Sequence, residues 1–153
     1  MKIKLALIAT VALLLSACDN AVYLDCKELP HSEWAKDSVC VFEFPITETQ
    51  NTYQIQLIVR NNDNYPNQNL WLFIDQTTPN GTCTKDTTQL FLADEFGRWT
   101  GSGAGSLFEN VFIYREHITY KTPGTYKIAV KQAMRYETLD GISDFGVKII
   151  KTK

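Results

Sequence analysis

The chain is 153 residues long and 44% apolar, with 15 Lys and Arg against 17 Asp and Glu and a formal charge of −2. That is one domain's worth of chain, and its few scattered cations form no basic stripe, which excludes nucleic acid as a partner. Four cysteines and two histidines leave little room for metal or redox chemistry.

The first element is an export signal. Lys2 and Lys4 precede an apolar run from Leu5 to Leu15, which ends in Ser16, Ala17 and Cys18. The run is too short for a bilayer, which takes about 20 apolar residues. Leu15-Ser16-Ala17-Cys18 reads as a bacterial lipobox: small residues before the cut, then a cysteine that accepts a diacylglycerol thioether. Residues 1–17 are thus predicted to be a removed signal peptide. Cys18 is the predicted lipidation site, and its acyl chains are the predicted membrane contact. Two lysines leave with the signal, so the formal charge falls from −2 to −4.

Residues 18–38 lack periodicity and read as a tether that becomes an ordered lead-in near Trp34. Residues 39–153 read as the folded domain, because period two takes over. Cys40, Phe42 and Phe44 share a face. Tyr53, Ile55, Leu57 and Val59 alternate with Gln54, Gln56, Ile58 and Arg60. Leu70, Leu72 and Ile74 alternate with Trp71, Phe73 and Asp75. Shorter runs span 89–93 and 107–114, and a strand-like run spans 114–120. Tyr126, Ile128 and Val130, then Val147 and Ile149, complete the set. Such alternation puts one row in a core and the other toward solvent. Asn61 to Asn64, Pro79-Asn80-Gly81 and Pro123-Gly124 supply turns. Residues 133–139 read as one helical turn at most. The fold class is therefore all-β: an antiparallel two-sheet sandwich, jelly-roll or immunoglobulin-like, of seven to eight strands.

Motifs for chemistry are lacking. Gly101-Ser102-Gly103-Ala104-Gly105 has no following Gly-Lys-Ser/Thr and reads as a flexible connection rather than a phosphate loop. Cys26, Cys40 and Cys83 form no zinc spacing and allow at most one bridge, whose pairing the sequence leaves open. His31 and His117 stand apart, and no nucleophile elbow accompanies them. Asp63, Asp75, Asp86 and Asp94 lack calcium-loop spacing. No catalytic residue, metal or cofactor is expected. The loop from Phe96 to Phe108 has apolar flanks that read as docking it down, the alternative being an aromatic contact surface, and it is the candidate site of partner contact. Its glycines give mobility, and Arg98, Trp99 and Phe108 are residue types favoured in interface hot spots. A rival reading is a glycan-binding lipoprotein. It makes Trp34 and Trp99, beside turns, the stacking candidates, and assigns Trp71, in an apolar strand, to the core.

In their order along the chain these pieces resemble a family. They are Cys18-Asp19 with Val22-Tyr23; Trp34 to Val39; Tyr53 to Asn62 with Tyr65-Pro66; Asn69 to Ile74; Pro79-Asn80-Gly81; Asp94 with Gly97-Arg98-Trp99; Gly101 to Leu107; Gly124-Thr125-Tyr126; Met134-Arg135; and Leu139 to Gly146. The set is similar to the gliding-motility lipoproteins of the GldH type from Bacteroidota. The resemblance implies a non-enzymatic envelope lipoprotein whose partners are other gliding or type IX secretion proteins. Surface-exported lipoproteins of that group carry several acidic residues beside the cysteine, so with Asp19 alone the resemblance implies an outer-membrane lipid anchor facing the periplasm.

Overall fold

The computed structural model describes residues 20–153; the predicted signal peptide and Cys18 lie outside the described residues. The described residues form ten strands, more than the seven to eight expected because the short β2 and β9 add a ribbon: β1 (Ala21–Glu28), β2 (Glu33–Ala35), β3 (Cys40–Ile46), β4 (Thr52–Asn62), β5 (Asn69–Thr77), β6 (Cys83–Phe91), β7 (Leu107–Thr119), β8 (Gly124–Gln132), β9 (Thr138–Asp140) and β10 (Ile142–Lys151). One sheet has the order β1-β10-β4-β7 and the other β3-β8-β5-β6, with β2 and β9 as a separate ribbon. Every pairing is antiparallel. Beyond the β5–β6 hairpin, the chain crosses from sheet to sheet as it advances. This is the double winding of an eight-stranded jelly roll.

The inward rows meet in one core. Phe42 and Phe44 of β3, Ile55 and Leu57 of β4, Leu70 to Ile74 of β5, and Phe145 to Ile149 of β10 contribute buried residues to it. Trp34 of the ribbon is fully buried, 5.3 Å from the Phe145 ring, and donates its indole N–H to Ser38 O at 3.1 Å. At the opposite end Tyr53, Tyr120 and Tyr126 pack ring to ring, with centroids 5.3 and 4.5 Å apart. Tyr53 and Tyr126 then spend their hydroxyls on the carbonyls of Glu48 and Thr122, both at 2.7 Å. These two hydrogen bonds fix the chain's exits from the core, while the buried Tyr120 hydroxyl has no partner among the described residues. Across the open edge, Asp86 of β6 accepts from Tyr114 Oη and from Arg115 of β7, each at 2.7 Å. That carboxylate ties one sheet to the other.

The winding gives the domain two poles. Asn20 O accepts Lys151 N–H, Thr52 N–H reaches Lys153 O, and Thr52 pairs with Thr119. Both described termini and the β3–β4, β5–β6 and β7–β8 turns therefore share one end, the proximal pole. Asn62 pairs with Leu107, and Ile142 with Asn61. The β4–β5 and β6–β7 connections and the ribbon therefore lie at the other, distal pole. Ten residue steps along β4 put the poles about 33 Å apart.

Four further expectations differ from the structure. The segment read as a tether is, from Ala21 on, a full edge strand paired with β10 through Glu28. Its alternation is hidden because the core side carries Tyr23 and Asp25, while Val22 and Leu24 face outward. Residues 133–139 form no helix: Gln132 caps the bend instead, taking Met134 N–H on its oxygen (2.9 Å) and giving an N–H to Tyr136 O (2.9 Å), before β9 starts. The runs 107–114 and 114–120 are one strand, β7, with two register shifts against β4. Trp71 is not a core residue; it sits on the outer face of its sheet, 38% exposed. The three described cysteines are free thiols, and burial pushes that of Cys40 up to about 11.

The facing assignment predicts stabilities. Leu57→Ala and Leu72→Ala should each cost roughly 2–5 kcal/mol, as deletions from a filled core do, and Gln56→Ala within about 0.5 kcal/mol. Urea unfolding of the three variants checks this; equal midpoints would mean the faces are wrong.

Candidate functional site

The distal pole carries the loop between β6 and β7, and its geometry follows from two short-range devices. The first is Asp94. Its Oδ1 accepts the backbone N–H groups of Phe96 and Arg98, both at 2.9 Å, and its Oδ2 binds Arg98 Nε at 2.7 Å. Asp94 N–H in turn reaches Arg98 O, and Gly97 takes φ of 78°, which only glycine adopts without strain. The result is a closed turn over residues 94–98. The Arg98 guanidinium lies 5.1 Å above the Phe96 ring, and Phe96 is 73% exposed. Its position ahead of glycine in the turn pushes it outward.

The second device is close approach. A Cβ on Gly103 would stand 1.9 Å from Leu107 O, and one on Gly101 2.7 Å from Asn110 Nδ2. Ser102 and Glu109 exchange backbone hydrogen bonds at 2.7 and 2.8 Å. The glycines therefore let the loop lie flat on β7, rather than making it a free connection. Beneath it, Thr100 Oγ1 donates to Asn110 Oδ1 at 3.1 Å, and Asn110 Nδ2 donates to the buried Asn61 Oδ1 at 3.3 Å. This polar chain anchors the loop to the centre of its sheet.

These contacts sort the three residues predicted for partner contact. Arg98 is exposed and held ready by Asp94. Trp99 and Phe108 are half-buried and stack on each other, centroids 6.0 Å apart, with Tyr65 on the far side of Trp99 at 6.2 Å. Trp99 Nε1 also donates to Asp63 Oδ1 at 3.1 Å. The structure brings all three to one pole, but Trp99 and Phe108 act largely as the loop's footing. Phe96 is the outward aromatic that the sequence reading passed over. The Asp94-x-Phe96-Gly97 spacing was the available signal, since an Asx turn closed by glycine exposes the residue between. His31 and His117 stay apart at positive φ values, 59° and 54°. Among the described residues no group of His, Cys, Asp and Glu is placed to hold a metal ion.

Residues 21–149 match the model of the GldH lipoprotein family. The chain belongs to the GldH lipoprotein family. It is 34% identical over 145 residues to the gliding motility lipoprotein GldH of Flavobacterium johnsoniae, covering 90% of each chain. A GldH homolog from Christiangramia forsetii is 33% identical over 147 residues, covering 92% of this chain and 90% of that one. Among solved structures, a family GH115 4-O-methyl-α-glucuronidase with specificity for decorated arabinogalactans shares 11% identity and a TM-score of 0.41. The overlap covers 88% of this chain and 17% of that one. A likeness that loose carries no argument. The family matches reach from β1 to β10, so they include the edge strand that sequence periodicity missed.

Hydrogen bonding to Asp94 makes the GldH-family turn acid-sensitive. The Arg98 backbone N–H is the main cause holding this carboxylate below its ordinary value of 3.8, with the guanidinium and the Phe96 N–H adding to it. A depressed carboxylate stabilises the turn fully above that ordinary value, and the stabilisation is lost as pH falls through the depressed one. In an NMR titration the Phe96 and Arg98 amides should shift together with a midpoint below 3.8. Asp94→Asn should remove that transition. A midpoint at or above the ordinary value would contradict the geometry.

Proposed function

We propose that this lipoprotein is a non-enzymatic component of the gliding and type IX secretion machinery. It is held by acyl chains on Cys18 at the periplasmic face of the outer membrane and acts through protein contacts at its distal pole. The observation that carries this reading is the polarity of the fold. Ala21 starts β1 at the proximal pole, and three residue steps from Cys18 span at most about 10 Å. An anchor there keeps the proximal pole near the bilayer and holds the exposed Phe96–Arg98 turn about 30 Å beyond it. Rigid presentation of an aromatic and an arginine at a fixed height is what a holding component requires, since such residues dominate interface energy. The naming of both relatives for gliding motility supports the same reading.

Two variants separate anchor from contact. Cys18→Ser should abolish incorporation of labelled fatty acid and release the protein from the membrane fraction; full membrane retention would sink the anchor. Phe96→Ala with Arg98→Ala should leave the protein folded and membrane-bound while reducing surface spreading, or delivery of secreted cargo in a host that does not glide. Wild-type spreading and secretion by that folded double variant would remove the turn as the contact surface.

A further inference from the structure

The outer face of the sheet β3-β8-β5-β6 carries a second feature, independent of the distal turn. Trp71 forms one side of a cleft of about 470 Å³ that Asn67, Met134, Arg135 and Tyr136 complete. Two loops from different sheet connections shape it, and both are pinned. Ala133 N–H binds Trp71 O at 2.7 Å, buried Gln132 holds the bend after it, and Tyr136 Oη reaches Asn67 Oδ1 at 3.5 Å. The volume lies in the range of small-ligand sites, and pinned walls mean little ordering cost on binding.

The cleft offers a cation without a counter-charge. Asn67 Nδ2 is itself buried in the wall, out of a ligand's reach. Arg135 has no carboxylate partner among the described residues, and no acidic residue lines the cleft. Nearby Glu137 is taken by Lys36 at 3.3 Å. Two residues along β5 the pattern repeats. Phe73 faces outward, 47% exposed, directly paired with Lys131 of β8. The acids beside it are engaged, Asp75 by Lys85 at 3.5 Å and Asp86 by Arg115 at 2.7 Å. Lys131, like Arg135, has no ion-pair partner among the described residues. The face thus presents two aromatic rings about 7 Å apart along one strand, each with an uncommitted cation beside it.

We infer that this face binds an acidic glycan: pyranose rings lie on Trp71 and Phe73, and their carboxylates meet Arg135 and Lys131. The apolar C–H face of a sugar suits a flat exposed ring, and its equatorial oxygens suit an edge of donors. An acidic peptide would use the cations but has no need of the flat ring, so it is the competing outcome of the test. The role differs from the glycan reading made on turn position, because Trp34 is fully buried and Trp99 is committed to Asp63.

The test is titration of the full lipoprotein in detergent micelles, read by calorimetry. The probes are tetragalacturonate, tetramannuronate, neutral β-1,4-galactotetraose, a soluble muropeptide and an acidic hexapeptide. Saturable binding of at least one carboxylated sugar in the micromolar to millimolar range is expected, with the neutral galactan much weaker. Preference for uronates over the muropeptide marks a polysaccharide source, and the reverse marks the cell wall; both support the site. Arg135→Gln should weaken the carboxylated sugar roughly tenfold, the loss of one charge-assisted hydrogen bond, without moving the thermal midpoint. Trp71→Phe should keep most of the affinity, whereas Trp71→Ala should lose it. No saturable binding of any carboxylated sugar, binding indifferent to Arg135→Gln and Trp71→Ala, or stronger binding of the acidic peptide would each overturn the inference.

Discussion

The antiparallel pairing of β1 with β10 sets the geometry on which the rest depends. It uses the first eight residues after Asn20 as an edge strand, from Ala21 opposite Ile150 to Glu28 opposite Asp144. Every later crossing of the jelly roll is counted from that strand, so the chain's entry point decides which turns share the entry pole. A one-residue slip would turn Tyr23 away from Phe44, whose ring it meets at 5.7 Å, and bring Leu24 in against the core instead. Gly146 enforces the register: a Cβ there would strike Cys26 Sγ at 2.4 Å. The first strand of the described chain is thereby locked in register to β10.

At the other pole, rigidity is obtained without regular structure. A salt-bridged Asx turn, two glycines that allow close approach and a polar chain from exposed Thr100 to buried Asn110 and Asn61 hold the β6–β7 connection on the sheet. Such polar chains stabilise little in net terms, yet breaking one member leaves another unpaired, so they favour a single conformation. The aromatic stack of Tyr65, Trp99 and Phe108 adds apolar burial to the same support. The outward residues, Phe96 and Arg98, rest on a base that does not need to order itself on binding.

Much of this was legible in the sequence where one face is apolar and the other polar. Ile55 to Val59, Leu70 to Ile74 and Val147 to Ile149 read true because their inward residues are all aliphatic. β1 was illegible because Asp25 and the phenol of Tyr23 occupy its inner side while Val22 and Leu24 face out. Trp71 misled for a related reason: both faces of β5 carry large apolar residues, so composition cannot say which row is inside. β9 is three residues long and held by pairing with the equally short β2, distant in sequence, a contact no local pattern announces. Trp99 lies in the β6–β7 loop and Phe108 at the start of β7, and stacking with Tyr65, distant in sequence, makes them footing for that loop. The family was legible because order along the chain survives where periodicity fails.

The account stands on the two poles lying at different heights above a membrane. The direct measurement is energy transfer from single fluorophores to a headgroup acceptor, with full-length lipidated protein in vesicles. Cys83→Ser would remove the exposed thiol, and labels would go on Asn80→Cys or Phe96→Cys. Asn80, in the β5–β6 turn, should transfer efficiently, and Phe96 should lie about 30 Å farther from the bilayer. Equal transfer from the two positions, or closer approach by Phe96, would contradict the account.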